Sequence, residues 1–325
     1  MRLLLLLIVL LKGTTVVCAD DARCHALILS GGRSKVLNYE RYWNDCALLY
    51  STLRHTCHLP QRNITLLMAD GDNPAADMLL SGARGLVSSP TDLDGDGLPD
   101  LSLAATRQNL TQVFDNLAQR LTSDDHLFIF ITDHGELATD GSARLWLWNQ
   151  ESIGATELAA MIGRVMAGTV NILLGTCYAG AFADCLQGEG RVVTAACGRD
   201  ELSWACADLD YDEFVYHWIC AVAQHDEQGR AVASDHDGDG YVSMQEAFDY
   251  ARLHDRRPET PSLVAQPSAL ASQWSFGRPP VGSGIAGTAS PSPPLRCYDL
   301  HGWWRLSAAP RMGIVIEGGR KRWCR

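Results

Sequence analysis

Short apolar runs alternate with amphipathic stretches along most of this chain, and this alternation constrains its fold more than any other feature. Between the runs, apolar residues recur every three or four positions, as in helices that bury one face. Strands that alternate with helices predict an α/β fold with a mostly parallel central sheet flanked by helices. The runs that read as buried strands are residues 26–30, 64–69, 126–132, 170–175 and 191–196.

The composition is that of a globular protein and narrows the possible partners. Of the 325 residues, 46% are hydrophobic and 20% are charged, and the formal net charge is −11. Nucleic-acid binding needs a basic surface to neutralise phosphates, so we expect no nucleic-acid partner. No apolar run reaches the roughly 18 residues of a membrane-spanning helix, so we expect no transmembrane segment in the mature chain.

The first residues have the form of a secretory signal peptide. Nine apolar residues follow Met1-Arg2, and small residues then precede a cleavage point after Ala19. Residues 1–19 are therefore predicted to be removed on export to a periplasmic, extracellular or endolysosomal space. An exported chain with ten remaining cysteines is expected to hold disulfides, whose pairing the sequence does not give.

The chain divides into an acidic body at 20–277 and a basic tail at 278–325. The tail holds eight Arg or Lys and two Asp or Glu residues, a net charge of +6, and begins with a Pro- and Gly-rich linker. Because the rest of the chain carries −17, we hypothesise that the tail folds over the body and restrains its activity.

Two strand ends carry residues suited to acyl transfer. His134-Gly135 follows one very apolar run, and Cys177 follows another. Parallel strands end at the same edge of a sheet, so the imidazole is expected beside the thiol, where it can act as its base. The backbone N–H groups of Gly135 and Cys177 are candidates for an oxyanion hole.

The sequence resembles the legumain-like cysteine peptidases of the caspase-like clan. The resemblance implies a caspase-like three-layer sandwich over 24–277, with Cys177 as nucleophile, His134 as general base and acid, and Asn38 orienting His134. The similar segments are Asn38-Tyr39, 132–135, 176–180, 194–196, 211–218 and 259–261.

The resemblance also implies a pocket for the side chain before the scissile bond. Glu40, Arg41, Gly175, Ser203 and Trp204 match its walls. Plant and animal members carry Glu where this chain has Gly175, and Arg where it has Glu40. An acidic Glu40 would favour a basic substrate residue, whereas Arg41 would favour Asn or Asp, and both alternatives stay open here.

Two acidic loops predict calcium sites. Residues 235–246 match an EF-hand loop, with ligands at Asp235, Asp237, Asp239, Tyr241 (through its carbonyl), Ser243 and Glu246. Residues 92–100 start a second such loop, but its twelfth position is Leu103, which cannot serve as the bidentate ligand. Its candidate ligands are Asp92, Asp94, Asp96, Leu98 and Asp100.

The sequence thus predicts an exported, calcium-braced cysteine endopeptidase that acts on proteins or peptides through a Cys177 thioester. A transamidase would use the same two residues, with an amine in place of water. A catalytically silent calcium-binding scaffold is the alternative from another class. The retained Cys177, His134 and Gly135 favour the enzyme.

Overall fold

A computed structural model describes residues 23–83, 85–101 and 103–277, and the backbone of short strands near both ends of the chain. Most of the predicted signal peptide and most of the basic tail, including its linker, lie outside the described residues. The domain boundaries and the restraint by the tail therefore stay predictions. No described helix is long and apolar enough to cross a membrane.

Strands and helices alternate through the described chain. The strands are β1 (Val16–Cys18), β2 (Cys24–Ser30), β3 (Ile64–Met68), β4 (Met78–Leu79), β5 (Leu86–Val87), β6 (His126–Asp133), β7 (Gly135–Leu137), β8 (Ala143–Trp146), β9 (Ser152–Gly154), β10 (Thr169–Thr176), β11 (Arg191–Ala195), β12 (Ser262–Gln266), β13 (Trp274–Phe276), β14 (Cys297–Tyr298), β15 (Trp304–Arg305), β16 (Gly313–Glu317) and β17 (Arg320–Cys324). The helices are α1 (Glu40–Ser51), α2 (Arg107–Arg120), α3 (Ala155–Ile162), α4 (Ala179–Leu186), α5 (Glu213–Ala223), α6 (Met244–His254) and α7 (Leu270–Gln273).

A six-stranded sheet forms the centre of the molecule. Its order is β12-β11-β10-β6-β2-β3, and every neighbouring pair is parallel except β11 with β12, which is antiparallel. The five apolar runs predicted as strands are the five parallel ones, which confirms the mixed α/β class. The antiparallel edge strand β12 was not predicted, because its residues are only partly buried.

Helices cover both faces of this sheet, which is why its interior strands are mostly apolar. In β6 and β10 every residue after the first is buried. One face packs against α1, α5 and α6, and the other against α2, α3 and α4. Phe128 of β6 stacks on Trp218 of α5 with ring centroids 5.7 Å apart. Truncating a buried ring of this kind to alanine costs about 3–5 kcal/mol. The layering fits a caspase-like sandwich.

Shorter sheets form outside the central sheet's strand order. The strands β7, β8 and β9 form an antiparallel sheet directly after β6. β1 pairs in parallel with β13, and it falls within the predicted signal peptide, whose removal would also remove this pairing. The four strands of the tail form an antiparallel sheet of their own, in the order β15-β14-β16-β17.

Candidate active site

The predicted nucleophile and base lie at the same edge of the central sheet. β6 and β10 pair in parallel, with Asp133 opposite Thr176. His134 and Cys177 are the next residues along the chain in each case. They therefore leave the sheet from adjacent strand ends, as the sequence predicted.

Gly135 packs directly against the backbone of Cys177, the predicted nucleophile. A Cβ atom at this position would overlap the Cys177 carbonyl oxygen and the Thr176 hydroxyl. Gly135 lies opposite Leu145 in the β7–β8 pair. The backbone carbonyl of His134 accepts a hydrogen bond from Trp146 N–H at 3.1 Å. In this antiparallel pattern the Gly135 N–H points out of the β7–β8 ladder and is left for another acceptor. The close approach requires glycine.

A backbone carbonyl orients the His134 imidazole. Nε2 lies 3.0 Å from the Leu37 carbonyl oxygen, which can only accept. Nε2 therefore carries the proton, and Nδ1 is the basic nitrogen. Nδ1 lies 3.5 Å from the Tyr42 hydroxyl. The rings of Tyr39 and Tyr42 contact the imidazole edge-on, with centroids 5.3 and 5.4 Å from it.

The Asn38 side chain does not make the contact that the family resemblance implied. Asn38 is buried, and its Nδ2 donates to the Asp77 carbonyl at 3.1 Å. The backbone carbonyl of Asn38 accepts a hydrogen bond from Leu79 N–H at 2.8 Å. These bonds fix the loop that presents the Leu37 carbonyl to the imidazole. Asn38 thus anchors the loop, and the preceding residue orients the ring.

Asp133 connects the backbone of His134 to the end of the neighbouring strand through hydrogen bonds, and the sequence did not predict this role. Its carboxylate accepts hydrogen bonds from the His134 N–H at 2.5 Å and from the Gly32 N–H, and the Ser30 hydroxyl lies 3.5 Å away. Burial raises the pKa of Asp133 to about 7, against the effect of the two backbone donors. Its position immediately before the predicted base is the one sequence signal that could have identified it.

The predicted catalytic dyad, Cys177 and His134, carries no charge near neutral pH. Cys177 carries a free, half-buried thiol whose Sγ lies 3.9 Å from the Ser203 carbonyl oxygen. Burial raises the pKa of this thiol. Burial lowers the pKa of His134, and the cations of Arg41 and Arg33 lower it further. Near neutral pH the site therefore holds a neutral thiol beside a neutral imidazole.

The turn that follows Cys177 is fixed by hydrogen bonds to a loop that contains Glu201. Tyr178 adopts a left-handed backbone, with φ at 61°, and its N–H donates to the Glu201 carbonyl at 2.7 Å. The Glu201 carboxylate accepts from Thr260 N–H at 2.7 Å and from its hydroxyl at 2.9 Å. These contacts maintain a conformation that non-glycine residues seldom adopt.

The structure separates the two charges considered for the substrate pocket. Arg41 Nε pairs with Asp212 Oδ1 at 2.7 Å, and its Nη2 donates to the Tyr42 hydroxyl at 2.9 Å. Glu40 instead accepts a hydrogen bond from Ser81 N–H at 2.8 Å. The Tyr42 hydroxyl also lies next to the His134 imidazole. Arg41 therefore adjoins the predicted catalytic residues, whereas Glu40 is directed toward Ser81.

The other three residues predicted for the pocket lie at different depths. Ser203 presents its carbonyl to the thiol. Trp204 is 42% exposed, and its backbone N–H donates a hydrogen bond to the Glu259 carboxylate at 3.2 Å. Gly175 is buried beneath the site, where an added Cβ would overlap Val215. A carboxylate side chain therefore has no room at Gly175.

The first acidic loop has a compact set of oxygens. Asp235 accepts hydrogen bonds from the N–H groups of Gly238 and Gly240 at 2.8 and 3.0 Å. One carboxylate oxygen from each of Asp235, Asp237 and Asp239 lies within 4.8 Å of the others. The pKa of Asp239 is raised by burial and by the two neighbouring carboxylates. Negative charge thus accumulates where a cation would relieve it.

Glu246 closes this loop and lies in the first turn of α6. Its carboxylate accepts from His236 N–H and from Ser243 N–H, both at 2.8 Å, and Ser243 caps the helix. Tyr241 N–H donates to Asp239 Oδ1 at 2.8 Å. The residues predicted as ligands therefore lie on one loop, although Glu246 does not join the cluster of three carboxylates.

The second loop repeats this bonding. Asp92 accepts from Gly95 and Gly97 N–H at 2.7 and 2.9 Å, as Asp235 does in the first loop. Asp96 Oδ1 accepts from Leu98 N–H at 2.8 Å.

Asp100 takes the place of the missing glutamate in this second loop. It accepts from Leu93 N–H at 2.8 Å, which corresponds to the bond between Glu246 and His236. Asp92, Asp94 and Asp100 form the second carboxylate cluster, with oxygens within 4.8 Å of one another. The sequence did not show this substitution, because Asp100 stands three positions early.

The predicted disulfides do not involve most of the described cysteines. Free thiols are present at Cys46, Cys177, Cys185, Cys197, Cys206 and Cys220. Pairing among the other cysteines stays a prediction.

Comparison with known proteins identifies the family. A family model described as the peptidase C13 family matches residues 25–238, which include both His134 and Cys177. No curated protein matches the chain. A crystal structure of a protein from Geobacter sulfurreducens is 12% identical, with a TM-score of 0.43, and the match covers 74% of this chain and 92% of that chain. Because the family match spans more than half of its residues, this chain belongs to the peptidase C13 family, the legumain family of cysteine peptidases.

Proposed function

We propose that the protein is an exported cysteine endopeptidase with Cys177 as nucleophile and His134 as general base and acid. The observation that carries this proposal is the pairing of Asp133 with Thr176. This pairing places His134 and Cys177, the next residue in each case, at the ends of adjacent strands. Gly135, packed on the Cys177 carbonyl, is the second support. Export rests on the form of residues 1–19 alone.

In the first step the thiol proton passes to Nδ1 of His134 as the sulfur attacks the peptide carbonyl carbon. The N–H groups of Gly135 and Cys177 receive the negative charge on the carbonyl oxygen. The C–N bond then breaks, the imidazolium gives its proton to the leaving amine, and a thioester remains. Water attacks the thioester as His134 takes its proton, which releases the acid and restores the thiol. The Leu37 carbonyl stabilises the imidazolium through Nε2–H.

The resting charges predict the pH dependence of kcat/KM. Because burial, Arg41 and Arg33 hold the pKa of His134 below its ordinary value, the base stays neutral and active above that lowered pKa. Activity should be lost only as pH falls through it, so the acid limb should lie below pH 6.5. Arg33→Gln removes one of the cations and should move the limb to higher pH. An unmoved limb would contradict this assignment of the base.

We propose that the pocket prefers Asn or Asp before the scissile bond. Arg41 lies next to the dyad through Tyr42, whereas Glu40 is bonded elsewhere. The Arg41–Asp212 pair offers one donor group and one acceptor group, as a side-chain amide requires. In a peptide panel that varies only this residue, kcat/KM for Asn should exceed that for Arg by about tenfold or more. A preference for Arg would instead favour Glu40 as the determinant.

A transamidase would use the same residues. Mass spectrometry of products formed with an added amine distinguishes the two reactions, because hydrolysis yields a free acid and transamidation an amide. The catalytically silent scaffold is less favoured, since a silent protein has no chemical need for the neutral thiol–imidazole pair with Gly135 packed beside it.

We further propose that both acidic loops bind Ca²⁺ and brace the fold. Hard carboxylate and carbonyl oxygens are the ligands that Ca²⁺ prefers. Asp235, Asp237, Asp239, Ser243 and Glu246, with the Tyr241 carbonyl, would hold one ion. The second would lie between Asp92, Asp94, Asp96 and Asp100, with the Leu98 carbonyl.

Chelation should therefore lower thermal stability. A ligand at one hundred times its Kd stabilises by about 2.7 kcal/mol, which raises Tm by about 5 °C or more in a domain of this size. Asp235→Asn should remove the part of the calcium-dependent shift that comes from the first loop and leave the part that comes from the second. Asp249→Asn, on the exposed side of α6, is the matched control and should retain the whole shift. Equal Tm values with calcium and with chelator would overturn the proposal.

A further inference from the structure

A fully buried carboxyl group lies one helical turn after Arg41. Asp45, on α1, has 0% exposure and accepts a hydrogen bond from Asp212 N–H at 3.2 Å. The Thr132 hydroxyl lies 3.3 Å from Asp45 Oδ2 and 3.2 Å from Asp212 Oδ2. The two carboxyl groups thus approach a single hydroxyl from two elements that are far apart in the chain.

The charges in this cluster do not balance if both acids are ionised. The Thr132 hydroxyl has one proton to donate, and it also lies 3.5 Å from the Gly175 carbonyl. Arg41 supplies one positive charge, and its Nε contacts Asp212 Oδ1 at 2.7 Å. An ionised Asp45 would be a second buried anion without a counter-ion of its own, which is strongly unfavourable.

The contacts indicate which carboxyl keeps the proton. Asp212 has both the guanidinium of Arg41 and the hydroxyl of Thr132, whereas Asp45 has one backbone donor and a share of that hydroxyl. Burial and the neighbouring Asp212 hold the pKa of Asp45 well above its ordinary value. Burial also raises the pKa of Asp212, but Arg41 and Thr132 oppose that rise.

The other titratable groups around Asp45 add no compensating charge. Cys46 follows it on α1, and Cys206 faces it from the segment before α5. Burial raises the pKa of both thiols, so they stay neutral. Asp133 and Glu213, which adjoin these thiols, are acids and cannot neutralise a carboxylate.

We propose that Asp45 is a positioning residue, a neutral carboxylic acid that holds Asp212 as the anionic partner of Arg41 and so keeps the substrate pocket free of net charge. This inference rests on the proposed peptidase function. A pocket without net charge suits the side-chain amide of Asn. An ionised Asp45 would give the pocket one net negative charge and would favour Lys or Arg.

Paired variants test which acid is charged. Selectivity between Asp and Asn substrates is the measure, because changes in the dyad affect both substrates alike. Asp212→Asn removes an anion and should shift selectivity toward Asp substrates by about tenfold. Asp45→Asn replaces a neutral group with a neutral isostere and, whatever it does to turnover, should leave the ratio within about twofold of wild type. A shift by Asp45→Asn equal to that of Asp212→Asn would overturn the proposal.

A second measurement does not depend on activity. NMR of protein labelled at the aspartate side-chain carboxyl carbons should show a carboxyl that stays protonated at neutral pH and is lost in Asp45→Asn. If that variant does not fold, the same signal should shift in Thr132→Val. A wild type that cleaves no peptide but shows this signal would refute the peptidase function and not the protonated Asp45. An ionised Asp45 would refute the inference alone.

Discussion

Replacing Cys177 with alanine should abolish peptide hydrolysis, with kcat reduced at least about ten-thousand-fold. In the proposed mechanism the Cys177 sulfur forms the thioester, and alanine offers no substitute for it. The fold should persist, because Cys177 is only half-buried and alanine is a smaller side chain. Peptide turnover and thermal unfolding of both proteins, measured in parallel, check this result.

Cys185→Ala is the matched control for this loss. Cys185 is a free, exposed cysteine near the end of α4, the helix that follows the nucleophile. Its replacement should leave kcat within about twofold of wild type. Equal turnover by wild type and Cys177→Ala would place the chemistry elsewhere. No turnover by wild type on any peptide would favour the silent scaffold.

Gly135→Ala should lower kcat by about 100- to 1,000-fold, the usual effect of losing an oxyanion donor. The new methyl group would overlap the Cys177 carbonyl and the Thr176 hydroxyl. The strand ends would have to move apart, which displaces the Gly135 N–H and separates imidazole from thiol. Single-turnover kinetics on a peptide ester or amide measures the loss in the acylation step.

Gly154→Ala separates this effect from a general cost of replacing glycine. Gly154 lies at the end of β9, and a Cβ there would meet nothing within 4 Å. Its φ of −76° suits any residue. This variant should retain full turnover. Comparable losses in Gly135→Ala and Gly154→Ala would contradict a specific role for Gly135.

The sequence was sufficient to predict the sheet centre and the placement of His134 and Cys177 at adjacent strand ends, and there is a physical reason. Strands buried on both faces must be continuously apolar, so β6 and β10 are distinct in the sequence. Residues that follow such parallel strands lie at one edge of the sheet, so the sequence alone predicts that His134 lies near Cys177.

Features that depend on backbone atoms or on distant partners were not predictable in this way. The imidazole is oriented by the Leu37 carbonyl, and a carbonyl has no residue-type signature. Asp45 and Asp212 meet only because α1 and the segment before α5 pack on the same face of the sheet. The different surroundings of Glu40 and Arg41 depend on the start of α1 at Glu40, which directs the two side chains to different neighbours.

The bond between Glu201 and Thr260 bears on how this protein is made. A nascent chain that ends before Thr260 already contains His134, Cys177 and the whole segment matched by the family model. It lacks the hydrogen bonds between Thr260 and Glu201, and it lacks β12, the sixth strand of the sheet. The turn after Cys177 is therefore fixed only after residues 259–266 have been made, so a chain that stops before them lacks part of the proposed active site.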